Sequence, residues 1–346
     1  MIACSSLSYA SQDDHGTEPK KFDANATILG HIKDAYDWHF FDIPGENGHI
    51  PVSIALPVIV YSPAQGVEVF SSAKFDHGHA AYNGYQIGEN GRIERTDNAS
   101  FFDLSITKNV ASMLIGIVLL LVIFIGVANK YKRNGPNVAP SGLQNALEAC
   151  ILFVRDDIAK PNIGKKYMRF MPLLLSFFFF IWINNMLGLL PGAANFTGNI
   201  AVTAAFAFVT FIVMLFSANK HFWSHLFNPP GVPMGINILL TIIEIISFFI
   251  KPIALMIRLF ANILAGHIII LSIISMIFIF GAMNSIAGWG FAPVSVAFTL
   301  FMYALELLVA AIQAFIFTNL TAVFIGQSVE EGHHHEEAHG EHAAAH

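Results

Sequence analysis

Between Ile236 and Ser328 the chain carries four formally charged residues, Glu244, Lys251, Arg258 and Glu306, and one further titratable group, His267. Each is embedded in Ile, Leu, Phe and Ala. A charge at the centre of a bilayer costs about 2.5 to 3.5 kcal/mol on insertion scales, so three left unrelieved would cost on the order of 10 kcal/mol, as much as a whole domain's stability. Such groups are paired, hydrated or in use. Helical geometry sorts them. Glu244, Lys251 and Arg258 are spaced seven residues apart and return to nearly the same face, and Ser247 and Asn262 join that stripe through four-residue steps. His267 follows Arg258 by nine residues, half a turn away in an unbroken helix, and addresses a different neighbour. Glu306 and Gln313 are again seven apart and share a face with Ala310 and Phe317.

The chemistry these types support is proton movement. Arginine stays protonated at physiological pH and acts as a fixed positive barrier, whereas histidine and a desolvated carboxylate titrate in the useful range and relay protons. A permanent cation beside a relay suits a proton path. Blander readings stand beside it. Glu244 with Lys251 also fits an interfacial pair whose lysine snorkels to water, His267 with Glu306 a static hydrogen-bonded pair, and Asn262 and Gln313 ordinary helix glue. There is no phosphate-binding loop, nucleophile with its base or dinucleotide fingerprint, so the chain is expected neither to hydrolyse nor to oxidise anything by itself and to need no cofactor.

The elements that hold these residues are membrane helices. Of 346 residues, 55% are hydrophobic and only 12% charged, far from the soluble mix in which about a quarter are charged. The net charge of −6 disfavours a nucleic-acid binder, which needs a basic face. Cys4 and Cys150 lie far apart with no Cys-x-x-Cys spacing, which supports neither a disulfide framework nor a cysteine metal site. Residues 1–109 are polar, and the composition changes abruptly at Val110. The expected organisation is an N-terminal domain over 1–109, a membrane domain over 110–328 and a His/Glu-rich tail over 329–346.

Within the first domain, residues 22–38 read as a short helix ending near Trp38 and residues 39–100 as short strands. Asn47-Gly48 and Asn90-Gly91 are hairpin-turn dipeptides, and Pro51 to Tyr61, rich in Val and Ile, reads as a strand between them. The two Gly-Glu-Asn-Gly strings reflect shared turn chemistry, since their flanks do not match. Ile2-Ala3-Cys4 only faintly resembles a lipoprotein cleavage box. Asp76, His77 and His79 fit a solvated loop better than a metal site, and no metal is expected.

Val110 to Ala128 is nineteen residues without a charge, enough to cross a core of roughly 30 Å. Lys130, Lys132 and Arg133 follow, and then Arg155, Lys160, Lys165, Lys166 and Arg169, which places this side in the cytoplasm and residues 1–109 outside. Ser141 with Gln144 reads as a capping box for a surface helix through Asp157. Phe170 to Leu190 and Ile200 to Ala218 are two further crossings. Ile236 to Ala282 and Val294 to Gln327 would be about 70 and 51 Å long as helices, so they tilt steeply, or the first folds back at Lys251-Pro252.

These residues carry a family resemblance. RLFANILAGH from Arg258 to His267, preceded by Lys251-Pro252, and ELLVAAIQAFIFTNLTAVFI from Glu306 to Ile325, resemble subunit a of the F-type ATP synthase. SGLQNALE from Ser141, FVRDDIAKPNIG from Phe153 and NNMLGLLPG from Asn184 extend the match over residues 141–328. The resemblance implies an all-α polytopic membrane protein of five crossings whose last two segments form a long tilted pair against a ring of c subunits. It implies peripheral-stalk b subunits and the rest of the synthase as partners, and membrane lipid as surroundings. It places the chain in a bacterial inner membrane, with the C-terminus cytoplasmic and the N-terminus periplasmic.

By the same resemblance Arg258 is the essential arginine facing the ring carboxylates, and Asn262 and Gln313 orient it. Glu244 and Ser247 line one half-channel, and His267 with Glu306 form an exchangeable pair on the uptake path. Many relatives have an aspartate where this chain has Gly188, so that carboxylate is not carried over. The expected function is proton translocation through two half-channels, with Arg258 preventing a short circuit. The rivals are a self-contained secondary transporter with a buried ion pair, which predicts an inverted repeat that the sequence lacks, and a purely structural anchor. In the tail, His335, His339, His342 and His346 would share a helical face, but a disordered tail fits better than a metal site.

Overall fold

A computed structural model describes residues 33–329 except 46–47, 64, 79, 89, 98, 136–137, 191–192, 195 and 228–233. The cleavage-box residues, most of the expected 22–38 helix, His79 and the His-rich tail therefore lie outside the described residues, as does the side chain of His77.

The described residues of the first domain form seven short strands: β1 (Asp37–Gly45), β2 (Gly48–Ala55), β3 (Pro57–Ser62), β4 (Gly66–Ser71), β5 (Tyr85–Ile87), β6 (Ile93–Arg95) and β7 (Phe102–Asp103). Trp38 lies in β1, so no helix ends there. β1 and β2 form an antiparallel hairpin in which Gly45 faces Gly48, and Asn47 of the expected Asn47-Gly48 turn lies outside the described residues. β5 and β6 pair from Tyr85↔Arg95 to Ile87↔Ile93, and Gly91 takes φ +70 between them, a conformation that costs glycine nothing.

The strand expected over Pro51 to Tyr61 is two strands, separated at Leu56. Both backbone groups of Leu56 are taken by Ser72: its N–H donates to the Ser72 Oγ at 3.0 Å and its carbonyl accepts the Ser72 N–H at 2.9 Å. The chain thereby leaves its β1 partner, and Pro57 opens a new strand, a place where a missing N–H is tolerated. β3 then pairs with β4 on one side and β7 on the other. Its Val58 and Val60 are fully buried among Tyr36, Phe75, Tyr85 and Ile93, which form this domain's core.

The rest is helical: α1 (Lys108–Asn134), α2 (Leu143–Phe153), α3 (Lys160–Ile163), α4 (Tyr167–Gly188), α5 (Ile200–Ser217), α6 (Lys220–Phe227), α7 (Met234–Met283) and α8 (Ser285–Val329). Among the described residues, five helical stretches are long and apolar enough to cross a membrane. The chain is thus an all-α multi-pass membrane protein with a small β-containing N-terminal region. The N-cap of the helix expected to start at Ser141 falls one residue later. The N-cap of α2 is Gly142, at φ +63 and without a side-chain cap bond, and α2 runs on through a π-helical stretch, Val154–Ala159, into α3.

The fold-back considered at Lys251-Pro252 does not occur. α7 is continuous for 50 residues, with Pro252 inside it, and spans about 75 Å at 1.5 Å per residue. α8 begins nine residues before the expected Val294 and contains Pro293. Asn284 separates the two helices and turns the chain: its Oδ1 accepts the Ile286 N–H at 3.0 Å and its carbonyl the Gly288 N–H at 3.0 Å. Gly288 lies against Gly281, where a side chain would meet the Gly281 Cα at 2.6 Å, so two glycines permit the tight reversal.

The chain divides into two compact units. One holds residues 1–138, 179–203 and 257–314, and the other residues 139–178, 204–256 and 315–346. In the second, Phe177 packs edge-on against Phe206 and Phe317, at 5.8 and 5.4 Å between ring centroids. Its helices also approach closely through Gly326, whose α-carbon faces the backbone carbonyl of Asn162, while Asn162 Nδ2 donates to Asn319 Oδ1 at 2.9 Å.

Candidate functional site: charged residues on the two long helices

In the first unit, the start of the site is Arg258 on α7. Its side chain is exposed on an apolar helix, and it makes no hydrogen bond or ion pair with any described residue. One turn later on the same helix, Asn262 Nδ2 donates to Gln313 Oε1 of α8 at 2.9 Å. Gln313 is 1% exposed, so this bond ties the two long helices together in a dry place beside the arginine.

One turn past Asn262, Gly266 packs against the side chain of Glu306: a Cβ at Gly266 would lie 2.9 Å from the Glu306 carboxyl carbon. Glu306 is buried, and among the described residues neither of its carboxylate oxygens has a hydrogen-bond donor. The static His267–Glu306 hydrogen bond therefore does not form. Glycine next to His267 gives the carboxylate its room, which the type of the residue alone made readable only once the two helices were seen to meet there.

A second polar group in the same unit was missed by sequence reasoning. The buried residues of α1 are Asn109, Ser112 and Gly116, at helical spacing on one face. Ser112 Oγ donates to the Ala194 carbonyl at 3.4 Å, Thr197 Oγ1 to Asn185 Oδ1 at 2.9 Å, and the side chain of Asn184 fills the space beside Gly116. The signal was present: polar or small residues at i, i+3 and i+7 in an otherwise aliphatic helix mark its packed face.

In the second unit, Glu244, Ser247, Lys251, Gln327 and His221 line a cleft of about 300 Å³ with Phe222, Leu226 and Phe248. Lys251 Nζ donates to Gln327 Oε1 at 2.7 Å and lies 5.6 Å from the centre of the Phe324 ring, which holds the ammonium in one place. The stripe read from seven-residue spacing thus supplies three walls of one cleft. His221 is an addition that only the packing reveals, and Gln327, fourteen residues after Gln313, is one that the spacing on α8 could have suggested. Among the described residues no three His, Cys, Asp or Glu side chains gather as a metal site would require.

Comparison with known proteins gives the frame for these residues. The family model described as ATP synthase A chain matches residues 110–326, and one described as Domain of unknown function (DUF8433) matches residues 27–112. ATP synthase subunit a of Chloroherpeton thalassium is 47% identical over 250 residues, which cover 71% of this chain and 72% of that protein. ATP synthase subunit a of Chlorobium phaeobacteroides strain BS1 is 47% identical over 69% of this chain and 70% of that one. That of Myxococcus xanthus is 40% identical over 70% and 79%. With a family model covering more than half of its length and relatives matched over more than two thirds of theirs, the chain belongs to the ATP synthase subunit a family.

Proposed function

We propose that this subunit is the stator of a rotary F-type ATP synthase and forms two aqueous half-channels. Protons enter one, ride the carboxylates of a c-subunit ring, and leave by the other. The observation that carries the reading is Arg258, an exposed guanidinium on an apolar helix with no described partner of its own. A permanent cation at that depth calls for an anion supplied from outside the chain, and an acidic ring supplies one. A guanidinium near a carboxyl favours its ionised form, typically by 1 to 3 pKa units, so each ring site gives up its proton as it passes. The same charge bars a proton from crossing directly between the half-channels.

The remaining roles follow from position. Asn262 and Gln313 brace the helices where Arg258 must hold its aim. Glu244 and Ser247 line one half-channel through their cleft, and His267 with Glu306 serve the other. One elementary charge moving through 100 mV releases about 2.3 kcal/mol, which biases rotation. The subunit is no enzyme by itself; it works with the c-ring, the b subunits of the peripheral stalk and the rest of the synthase. In a bacterial inner membrane, the basic residues after α1 put its C-terminal end in the cytoplasm, which leaves residues 1–109 periplasmic and 329–346 cytoplasmic.

The test is Arg258→Ala in membranes that hold the whole complex. Loss of proton-coupled ATP synthesis, with the complex still assembled, is the expected result. Retained synthesis rejects the assignment.

A further inference from the structure

The sheet β4-β3-β7 has one face in the core of the N-terminal domain and the other uncovered by any described residue. On the uncovered face Tyr61 stands opposite both Val67 and Phe102, and Ile59 stands opposite Val69. Leu104 follows in line, its N–H donating to the Ile59 carbonyl at 2.9 Å. Val67, Val69 and Phe102 are each 65% exposed and Leu104 is 64% exposed. The rings of Tyr61 and Phe102 stack at 6.3 Å. Because alternate residues of a strand share a face, this surface is made by Pro57, Ile59 and Tyr61, by Val67, Val69 and Ser71, and by Phe102 and Leu104, with no charge among them. A contiguous apolar face of that kind marks a site of association.

The chain path says with what. Leu104 is four residues from Lys108, the first residue of α1, so at 3.3–3.6 Å per residue it stands within about 14 Å of the helix that enters the membrane. The connection is braced at every step: Ile106 N–H to the Pro57 carbonyl at 3.1 Å, Lys108 N–H to the Ala35 carbonyl at 2.9 Å, and Asn109 N–H to Asp34 Oδ1 at 3.2 Å. The domain match likewise runs to residue 112, past the start of α1. Beyond that start, α1 exposes Leu114, Ile115, Val118 and Val122, a surface suited to lipid tails. The sheet face thus stands a few residues from a lipid-facing helix, and it carries the aromatic and aliphatic mixture that settles at the boundary between headgroups and chains.

We infer that the uncovered face of β4-β3-β7 rests on the phospholipid headgroup boundary of the leaflet that α1 enters, and so fixes the N-terminal domain against the membrane. This does not depend on the rotary reading, only on α1 crossing the bilayer.

Spin labels at Val69→Cys and, separately, Val67→Cys test it, in the whole complex with Cys4→Ser and Cys150→Ser, reconstituted in vesicles of phosphatidylethanolamine and phosphatidylglycerol. Collision with lipid-soluble oxygen and with a water-soluble nickel chelate is measured against a label at Lys74, an exposed residue outside the face. The expected result is a loss of chelate collisions and a gain of oxygen collisions at both sheet positions. Chelate collisions equal to those at Lys74 mean that the face is in water and overturn the inference. Exclusion of both reagents means that a protein surface covers it, and overturns it equally.

Discussion

Asn262 and Gln313 join the two long helices by one hydrogen bond of 2.9 Å, a single turn beyond Arg258. On the proposed reading, the bond fixes the rotation of α7 about its own axis where the arginine projects. Interhelical hydrogen bonds in membranes contribute about 0.6 kcal/mol on average and up to about 1.7. Gln313→Leu is therefore expected to leave assembly intact while lowering proton conduction through the complex freed of its soluble sector. The swapped pair Asn262→Gln with Gln313→Asn should recover part of the loss. Equal rates in wild type and Gln313→Leu would show that the bond does not position Arg258.

Gly266 is expected to accept a side chain only at the expense of Glu306. Gly266→Ala forces the buried carboxyl aside, an overpacking that costs about 1 to 3 kcal/mol. Adding Glu306→Ala should relieve it, so the thermal stability of the double variant should exceed that of Gly266→Ala. Independent, additive losses would place the two residues apart.

At Gly326 the obstacle is backbone rather than a side chain. The Asn162 carbonyl occupies the place of a Cβ, so Gly326→Ala must separate α8 from α3. The destabilisation should reach or exceed the upper end of the roughly 1 to 3 kcal/mol typical of overpacking, and no single truncation nearby should restore it. Detergent-induced unfolding at wild-type denaturant midpoint would contradict this.

The N-terminal domain should weaken in alkali. Tyr36 donates to Asp103 Oδ2 at 2.5 Å, and burial foremost, with that bond second, pushes its hydroxyl above its ordinary pKa of 10.0. A group whose folded pKa is raised contributes stability in full below the unfolded value and loses it as pH climbs past it. Protease cleavage within residues 34–106 should therefore accelerate above pH about 10 in the wild-type chain, more steeply than in Tyr36→Phe. Parallel profiles would deny Tyr36 that role.

Much of this was legible in the chain's letters because the cost of burying charge is large. The spacing of Glu244, Lys251 and Arg258 needed only an unbroken helix to hold, and α7 is unbroken. Length alone could not exclude a reversal at Pro252, since proline in a helix removes one hydrogen bond and an apolar run reads the same in either geometry. Leu56 was missed because the end of its strand depends on Ser72, sixteen residues away. The cap fell one residue beyond Ser141 for a local reason: Gly142 takes it in a conformation that serine disfavours. His221 carries no periodic signal, and Gln327, fourteen residues after Gln313, and Gly266, four after Asn262, fall on the stripes with no charge to mark them. Their partners come from helices meeting, which no single helix's pattern records.

The central claim concerns what Arg258 faces in the assembled machine. The direct measurement is the separation between its guanidinium and the nearest ring carboxylate in a structure of the whole complex. The account predicts an approach to within about 4 to 6 Å, the range over which an opposite charge favours ionisation. A guanidinium turned toward lipid or bulk water, with no acidic ring residue near it, would contradict the account.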